Sequence, residues 1–121
     1  MKVYAFDVDE TLEVSGGPVK IADIVVLREQ GHCVGLCGNC EAVTTSVEGW
    51  HKIFSFLCQL NMNLSKAEFL GLLKFYIPAE EYVMVGNDHS QREHQSPDDR
   101  PAALAAGWRF IDETAFAKGN R

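Results

Sequence analysis

Residues 2–12 read KVYAFDVDETL, a short apolar run that ends abruptly in a cluster of acids. The apolar part, residues 2–6, is too brief for a helix and predicts a buried β-strand that ends at a polar site. Asp7 and Asp9 are two residues apart on an extended segment, so they should project to the same side. Carboxylates at the end of an apolar strand repel each other unless a cation or another partner offsets their charge. The stretch therefore predicts a first strand and a functional site at its end.

The rest of the chain alternates between strand-like and helix-like segments. Further short apolar runs predict strands at residues 33–37, 82–85 and 108–111. Apolar residues at helical spacing, together with capping residues, predict helices over residues 21–28, after Gly49, from Ser65 to about Tyr76, and over residues 99–106. Strands that alternate with helices pair in parallel, and the resulting sheet is covered on both faces. The sequence therefore predicts an α/β fold: a three-layer α/β/α domain of the Rossmann-like kind.

Two of these helices carry specific signals. Residues 65–68, SKAE, match a capping box, in which Ser65 accepts a hydrogen bond from the third helical residue and Glu68 reaches back. After Gly49, the apolar residues share one helical face, which predicts an amphipathic helix that includes Trp50, Ile53, Phe54, Leu57 and Leu60.

Composition restricts the classes of protein to which the chain can belong. With 121 residues, 46% of them hydrophobic, residues 1–121 are expected to form one domain with one core. A formal net charge of −6 and the absence of a basic cluster argue against a nucleic-acid partner. No apolar run approaches the roughly 20 residues of a membrane span, and no signal-peptide core precedes Asp7. We therefore expect a cytoplasmic protein without a membrane partner, and its four cysteines to be reduced thiols.

The spacing of Cys33, Cys37 and Cys40 offers a minor alternative. It matches the spacing that holds an iron–sulfur cluster in radical S-adenosylmethionine enzymes. Cys33 and Cys37, however, fall in a predicted buried strand, where cysteine serves as a small apolar residue. A redox pair or zinc half-site at residues 37–40 lacks a second Cys or His pair with matching spacing.

Polar clusters follow three of the predicted strands, at residues 7–11, 38–39 and 86–88. In open α/β sheets, functional sites form at the carboxyl ends of the strands. Two carboxylates from the first cluster, with a third acid from another strand, suit a hard cation such as Mg²⁺. Asp7 is then a candidate nucleophile, as in enzymes that form an aspartyl-phosphate, and Asp9 a candidate general acid and base. A metal ion would relieve the repulsion between the carboxylate and an anionic phosphate.

Residues 6–12, FDVDETL, resemble the first signature of the haloacid dehalogenase superfamily of aspartate-dependent phosphohydrolases, a strand ending in Asp-x-Asp-x-Thr. The resemblance spans nearly the whole chain, because the remaining signatures follow in the same order. It implies that strand 2–6 is central, with strand 33–37 on one side and strands 82–85 and then 108–111 on the other. It also implies that Asp7 is the nucleophile, that Asp9 is the general acid and base, and that the Asp9 carbonyl oxygen binds Mg²⁺. An acid at position 9 favours phosphate esters over carbon–halogen bonds.

The second and third signatures of the family bind the phosphate. The position of the usual Ser or Thr is taken by Gly38, so that hydroxyl is absent. Backbone N–H groups at Gly38 and Asn39 would hold the anion instead, and Asn39 is equally well explained as a helix N-cap. Lys66 matches the family's lysine better than Lys52 or Lys74. It lies in a first helical turn, where a cation opposes the helix dipole unless an anion is bound nearby.

The fourth signature closes the metal site. Residues 86–88, GND, have asparagine where the first acid usually stands, so either Asn87 or Asp88 is expected to reach the ion. A further acid of the family is matched by Asp99, for which helix N-capping is the alternative interpretation. His89 and His94 lie in a polar stretch, residues 89–97, that is either solvated or in contact with substrate or metal.

These motifs together predict a Mg²⁺-dependent phosphomonoester hydrolase that acts through an aspartyl-phosphate on Asp7. The connection from Thr11 to the helix near Ile21 is too short for a sizeable cap domain. An open site suits a large phosphorylated substrate, or one enclosed by a neighbouring subunit of a homo-oligomer. The alternative is a binding or scaffold domain with the same fold and little or no turnover, because Gly38 and Asn87 depart from the family pattern.

Overall fold

The computed structural model describes residues 1–58, 64–87 and 99–121. Within these residues, five parallel strands form one sheet in the order β3-β2-β1-β4-β5. The strands are β1 Lys2–Phe6, β2 Cys33–Cys37, β3 Phe56–Cys58, β4 Glu81–Gly86 and β5 Arg109–Asp112. The helices are α1 Ile21–Glu29, α2 Glu41–Thr44, α3 Trp50–Ile53, α4 Lys66–Tyr76, α5 Asp99–Ala105 and α6 Glu113–Ala117, with a 3₁₀ turn at Glu13–Ser15.

The central strand β1 is buried on both faces of the sheet. Tyr4 and Phe6 pack into one apolar cluster, and Val3 and Ala5 pack into another. This division follows from the alternation of side chains along a strand. It explains why β1 reads as a continuous apolar run, and the order of β2, β1, β4 and β5 confirms the order expected from the sequence.

Different helices contribute to the two apolar clusters. The cluster around Phe6 includes residues of α1 and α6, and the rings of Phe6 and Phe116 meet edge to face with their centroids 5.3 Å apart. The cluster around Val3 includes Leu70 and Leu73 of α4 and Ala103 of α5. None of the helices in the described ranges has both the length and the apolar character needed to cross a membrane.

The prediction of an amphipathic helix after Gly49 is wrong beyond Ile53. Helix α3 is a single turn, Phe54 has extended backbone angles, and Phe56–Cys58 forms the edge strand β3 beside β2. The Phe56 ring lies so close to Gly35 of β2 that a Cβ there would meet it at 2.3 Å. Pairing with β2 therefore overrides the helical spacing of Leu57, and Leu60 lies outside the described residues.

Helix α4 begins with the predicted capping box. The Glu68 N–H donates to Ser65 Oγ at 3.1 Å, and the Ser65 N–H donates to Glu68 Oε1 at 3.2 Å. These two bonds satisfy amide groups that the first turn would otherwise leave without partners. They fix the start of α4, and with it the position of Lys66 as the first helical residue.

Candidate functional site

Asp7 follows the last residue of β1, at the carboxyl edge of the sheet. Its N–H continues the pairing with β4 by donating to the Val85 carbonyl at 2.9 Å. The chain then turns sharply, and the N–H groups of Thr11 and Leu12 both donate to the Val8 carbonyl at 3.1 Å. This turn carries Asp7 into the interior and leaves Asp9 exposed, so the two carboxyl groups have different environments.

A buried hydrogen bond to α6 holds the same turn. Thr11 Oγ1 donates to Glu113 Oε2 at 2.8 Å, across 102 residues of sequence. Both side chains are buried. Glu113 is not among the site residues predicted from the sequence, because α6 has only five residues and nothing near Glu113 indicates a partner so distant in the chain. Glu113 contributes to the site by anchoring the Asp7–Thr11 turn.

Lys66 lies between two buried carboxylates. Its Nζ donates to Asp7 Oδ1 at 3.2 Å and also to Asp99 Oδ1 in a shorter bond. Asp7, Lys66 and Asp99 are 6%, 5% and 0% exposed, so all three groups are removed from water. Lys52 and Lys74 are exposed, so Lys66 is the one of these three lysines that is buried beside Asp7.

The charges of these three groups do not balance when both carboxyls are ionised. The pKa of Asp7 is raised to about 7, because burial and the Asp99 charge raise it by more than the Lys66 charge lowers it. For Lys66, burial alone would lower the pKa, but Asp7 and Asp99 raise it above its ordinary value. Lys66 thus remains a cation. With both carboxyls ionised, the three groups carry a net negative charge, which a bound cation would offset.

Asn87 completes the group from the end of β4. Its Nδ2 donates to Asp7 Oδ2 at 3.1 Å and to the Asp9 carbonyl oxygen at 3.2 Å. Its backbone N–H donates to Asp99 Oδ2 at 3.1 Å. The carboxyl of Asp99 therefore joins the start of α5 to both Lys66 and Asn87, a role beyond helix N-capping.

Gly38 and Asn39 follow β2 on the other side of Asp7. A Cβ at Gly38 would meet Asp7 Oδ1 at 2.6 Å, so the buried carboxylate leaves no room for a Ser or Thr there. The Gly38 N–H donates to the Cys58 carbonyl at 3.0 Å, so the expectation that this N–H holds a phosphate is wrong. Asn39 is not the cap of α2, because Cys40 holds that position, and its Nδ2 instead donates to Asp9 Oδ1 at 3.4 Å.

The structure thus brings together Asp7, Lys66, Asn87, Asp99 and the backbone of Asp9. Asp88 and the stretch 89–97, with His89 and His94, lie outside the described residues.

The donor set around Asn87 suits a hard cation. Within the described ranges, no cluster of three or more His, Cys, Asp and Glu side chains has the geometry of a metal site, which also leaves the iron–sulfur alternative without support. A cation would instead need amide and carbonyl oxygens, which Mg²⁺ and Ca²⁺ accept as ligands. Asn87 Oδ1 is such an oxygen, since in the described part of the chain it is buried without a hydrogen-bond partner. Asn87 Nδ2 now lies next to Asp7 Oδ2 and the Asp9 carbonyl, and a rotation of the amide about the Cβ–Cγ bond would bring Oδ1 there in its place.

The chain matches no family model, no curated protein and no solved structure.

Replacement of Lys66 by Met should destabilise the protein strongly. Two buried carboxyls would lose their cation, and breaking a buried ion pair in this way costs about 3–5 kcal/mol. Lys52→Met, at an exposed position, is the control and should change stability by less than about 0.5 kcal/mol. Urea unfolding followed by circular dichroism measures both values. Equal stability of the two variants would show that Lys66 does not hold the site together.

Proposed function

We propose that the protein is a Mg²⁺-dependent phosphomonoester hydrolase with a three-layer fold of the haloacid dehalogenase type. The observation that supports this best is the pairing of Asp7 with Lys66, with Asn87 and the Asp9 carbonyl on the other side of the same carboxylate. A nucleophilic carboxylate needs a fixed orientation and a nearby cation to approach an anionic phosphate. The site provides both at the carboxyl end of the central strand.

In the proposed reaction, an Asp7 oxygen attacks phosphorus and the ester P–O bond breaks. Lys66 offsets negative charge on the transferred phosphoryl group and orients the attacking carboxylate. Asp9, which is exposed and held by Asn39, gives its proton to the leaving oxygen. Asp9 then takes a proton from water, whose oxygen attacks the phosphorus of the acyl phosphate. This second step releases inorganic phosphate and restores the Asp7 carboxylate.

Magnesium would be held by an Asp7 oxygen, the Asp9 carbonyl oxygen and Asn87 Oδ1, and Asp88 remains a further proposed ligand. When bound, the ion supplies positive charge against the phosphate and the attacking carboxylate. The chain's own contribution is to fix Asp7 between Lys66 and Asn87, so that one carboxylate oxygen faces the lysine and the other faces the amide.

The proposed substrate is a phosphate ester on a small molecule or a macromolecule. Only residues 12–20 separate the acidic turn from α1, which leaves no room for a large cap at that point. We propose that phosphate lies near Gly38 and Asn39, and that a neighbouring subunit of a homo-oligomer, or the substrate's own bulk, shields it from water. The proposed setting is the cytoplasm.

Phosphate release from a panel of phosphomonoesters, with and without Mg²⁺, tests the proposal. We expect Mg²⁺-dependent turnover that falls by about 10³-fold or more in Asp7→Asn, because the amide is not a nucleophile. Asp23→Asn, at a half-buried position in the first turn of α1, is the matched control and should retain full activity. Turnover that survives in Asp7→Asn would contradict the mechanism.

A non-catalytic phosphate-binding domain is the second candidate function. It is favoured by the steric contact that excludes a hydroxyl side chain at Gly38, since the phosphate then has one ligand fewer. Calorimetric binding of inorganic phosphate, combined with no turnover on any ester of the panel, would support this function over the hydrolase.

Because Asn87 is neutral, we expect weak Mg²⁺ binding, and a single substitution at this position should strengthen it. Asn87→Asp adds a charged oxygen beside Asp7 and should raise Mg²⁺ affinity by about tenfold or more, which corresponds to about 1.4 kcal/mol. Without Mg²⁺ the same variant should be less stable than the natural protein, because the new carboxylate would lie against Asp7 and Asp99.

Isothermal titration with Mg²⁺ measures the affinity, and Asn39→Asp serves as the control. Asn39 hydrogen-bonds to the exposed Asp9 side chain, whereas Asn87 hydrogen-bonds to the buried Asp7 carboxylate, so replacement of Asn39 should have a smaller effect. Equal effects of the two variants would place the ion away from Asn87.

A further inference from the structure

Two buried cysteines are partners on neighbouring strands. Cys37 of β2 and Cys58 of β3 are paired in the parallel register, and they are 0% and 2% exposed. Both belong to the apolar cluster around Val3, so their side chains lie on the same face of the sheet. Neighbouring strands are about 4.8 Å apart, which falls within the Cα separation that a disulfide requires. Neither cysteine forms a disulfide in this structure.

The two thiols are chemically unequal. The Cys37 and Cys58 side chains are hydrogen-bonded to each other, and this contact raises the pKa of Cys37 and lowers the pKa of Cys58. Burial opposes ionisation of Cys58, while the Lys66 charge favours it. Because the thiolate is the reactive form of cysteine, Cys58 is the better nucleophile and Cys37 is its proton-bearing partner.

An apolar cavity of about 300 Å³ reaches Cys58. Its wall includes Phe69, Leu72 and Tyr76 of α4, and the last two are exposed at the surface. Cys37 does not line this cavity. A small uncharged oxidant in this cavity would lie against Cys58, whereas a charged one would have to lose its hydration to enter.

We infer that Cys58 and Cys37 form an oxidation site for hydrogen peroxide, separate from the phosphate chemistry at Asp7. The Cys58 thiolate attacks one peroxide oxygen, the O–O bond breaks, and hydroxide leaves and takes up a proton to become water. The sulfenic acid on Cys58 is then attacked by the Cys37 sulfur, which loses its proton as a second water departs. Two thiols are oxidised to one disulfide, and one peroxide is reduced to two waters.

The other two cysteines are less suited to this reaction. Cys40 Sγ donates to the Cys58 carbonyl oxygen at 3.3 Å, so the backbone holds its thiol. Cys33 lies at the opposite end of β2, four residues before Cys37, which corresponds to about 13 Å along a strand. The proposed disulfide is therefore specific to one pair of the four cysteines.

Peptide mapping of the folded, full-length protein tests this inference. The reduced protein is treated with hydrogen peroxide, the remaining thiols are alkylated, and a digest without reductant is analysed by tandem mass spectrometry. We expect a cross-link between Cys37 and Cys58 that a thiol reductant reverses, with Cys33 and Cys40 alkylated. A cross-link through Cys33 or Cys40, or oxidation only after unfolding in urea, would overturn the inference.

Variants distinguish the order of the two steps. Cys37→Ala should stop the reaction at a sulfenic acid on Cys58, which dimedone traps as an adduct. Cys33→Ala is the matched control on the same strand and should leave the cross-link unchanged. If dimedone labels Cys37 in a Cys58→Ala variant but does not label Cys58 in Cys37→Ala, Cys37 is the nucleophile, which would contradict the inference. Peptide mapping of the natural protein tests the cross-link between Cys37 and Cys58 even if a variant fails to fold.

Discussion

A lysine buried between two carboxylates is the interaction on which both the site and the surrounding fold depend. Lys66 begins α4, Asp7 directly follows the central strand, and Asp99 begins α5, so one ammonium group joins three parts of the fold that are distant in sequence. Charges removed from water are tolerated only when they are paired and hydrogen-bonded. The same bonds that allow these groups to be buried also orient the carboxylate that we propose as the nucleophile.

Asn87 gives the two carboxylate oxygens of Asp7 different partners. Its amide nitrogen contacts the Asp7 oxygen that does not face Lys66, and its own oxygen is buried beside the same turn without a partner in the described part of the chain. An aspartate at this position would add a third buried carboxylate near Asp7 and Asp99. Asparagine avoids that repulsion, and the consequence for a magnesium site is a weaker ligand set.

Much of this arrangement follows from local sequence. The apolar run before Asp7 predicts β1, and the capping box at Ser65 predicts the start of α4, which places Lys66 in the first turn. Other features depend on contacts that no local pattern shows. The strand β3 exists because Phe56 packs on Gly35 of β2, and Glu113 joins the site through a hydrogen bond to Thr11 across 102 residues. The register that pairs Cys37 with Cys58 is likewise set by the partner strand.

Chemical trapping of the covalent intermediate tests the proposed role of Asp7 most directly. The protein is mixed with Mg²⁺ and a phosphomonoester that it turns over, quenched during turnover, and treated with borohydride, which reduces an acyl phosphate to an alcohol. The account predicts that peptide mapping finds homoserine in place of aspartate at position 7 and at no other aspartate. Phosphate release with every aspartate left unreduced would contradict it.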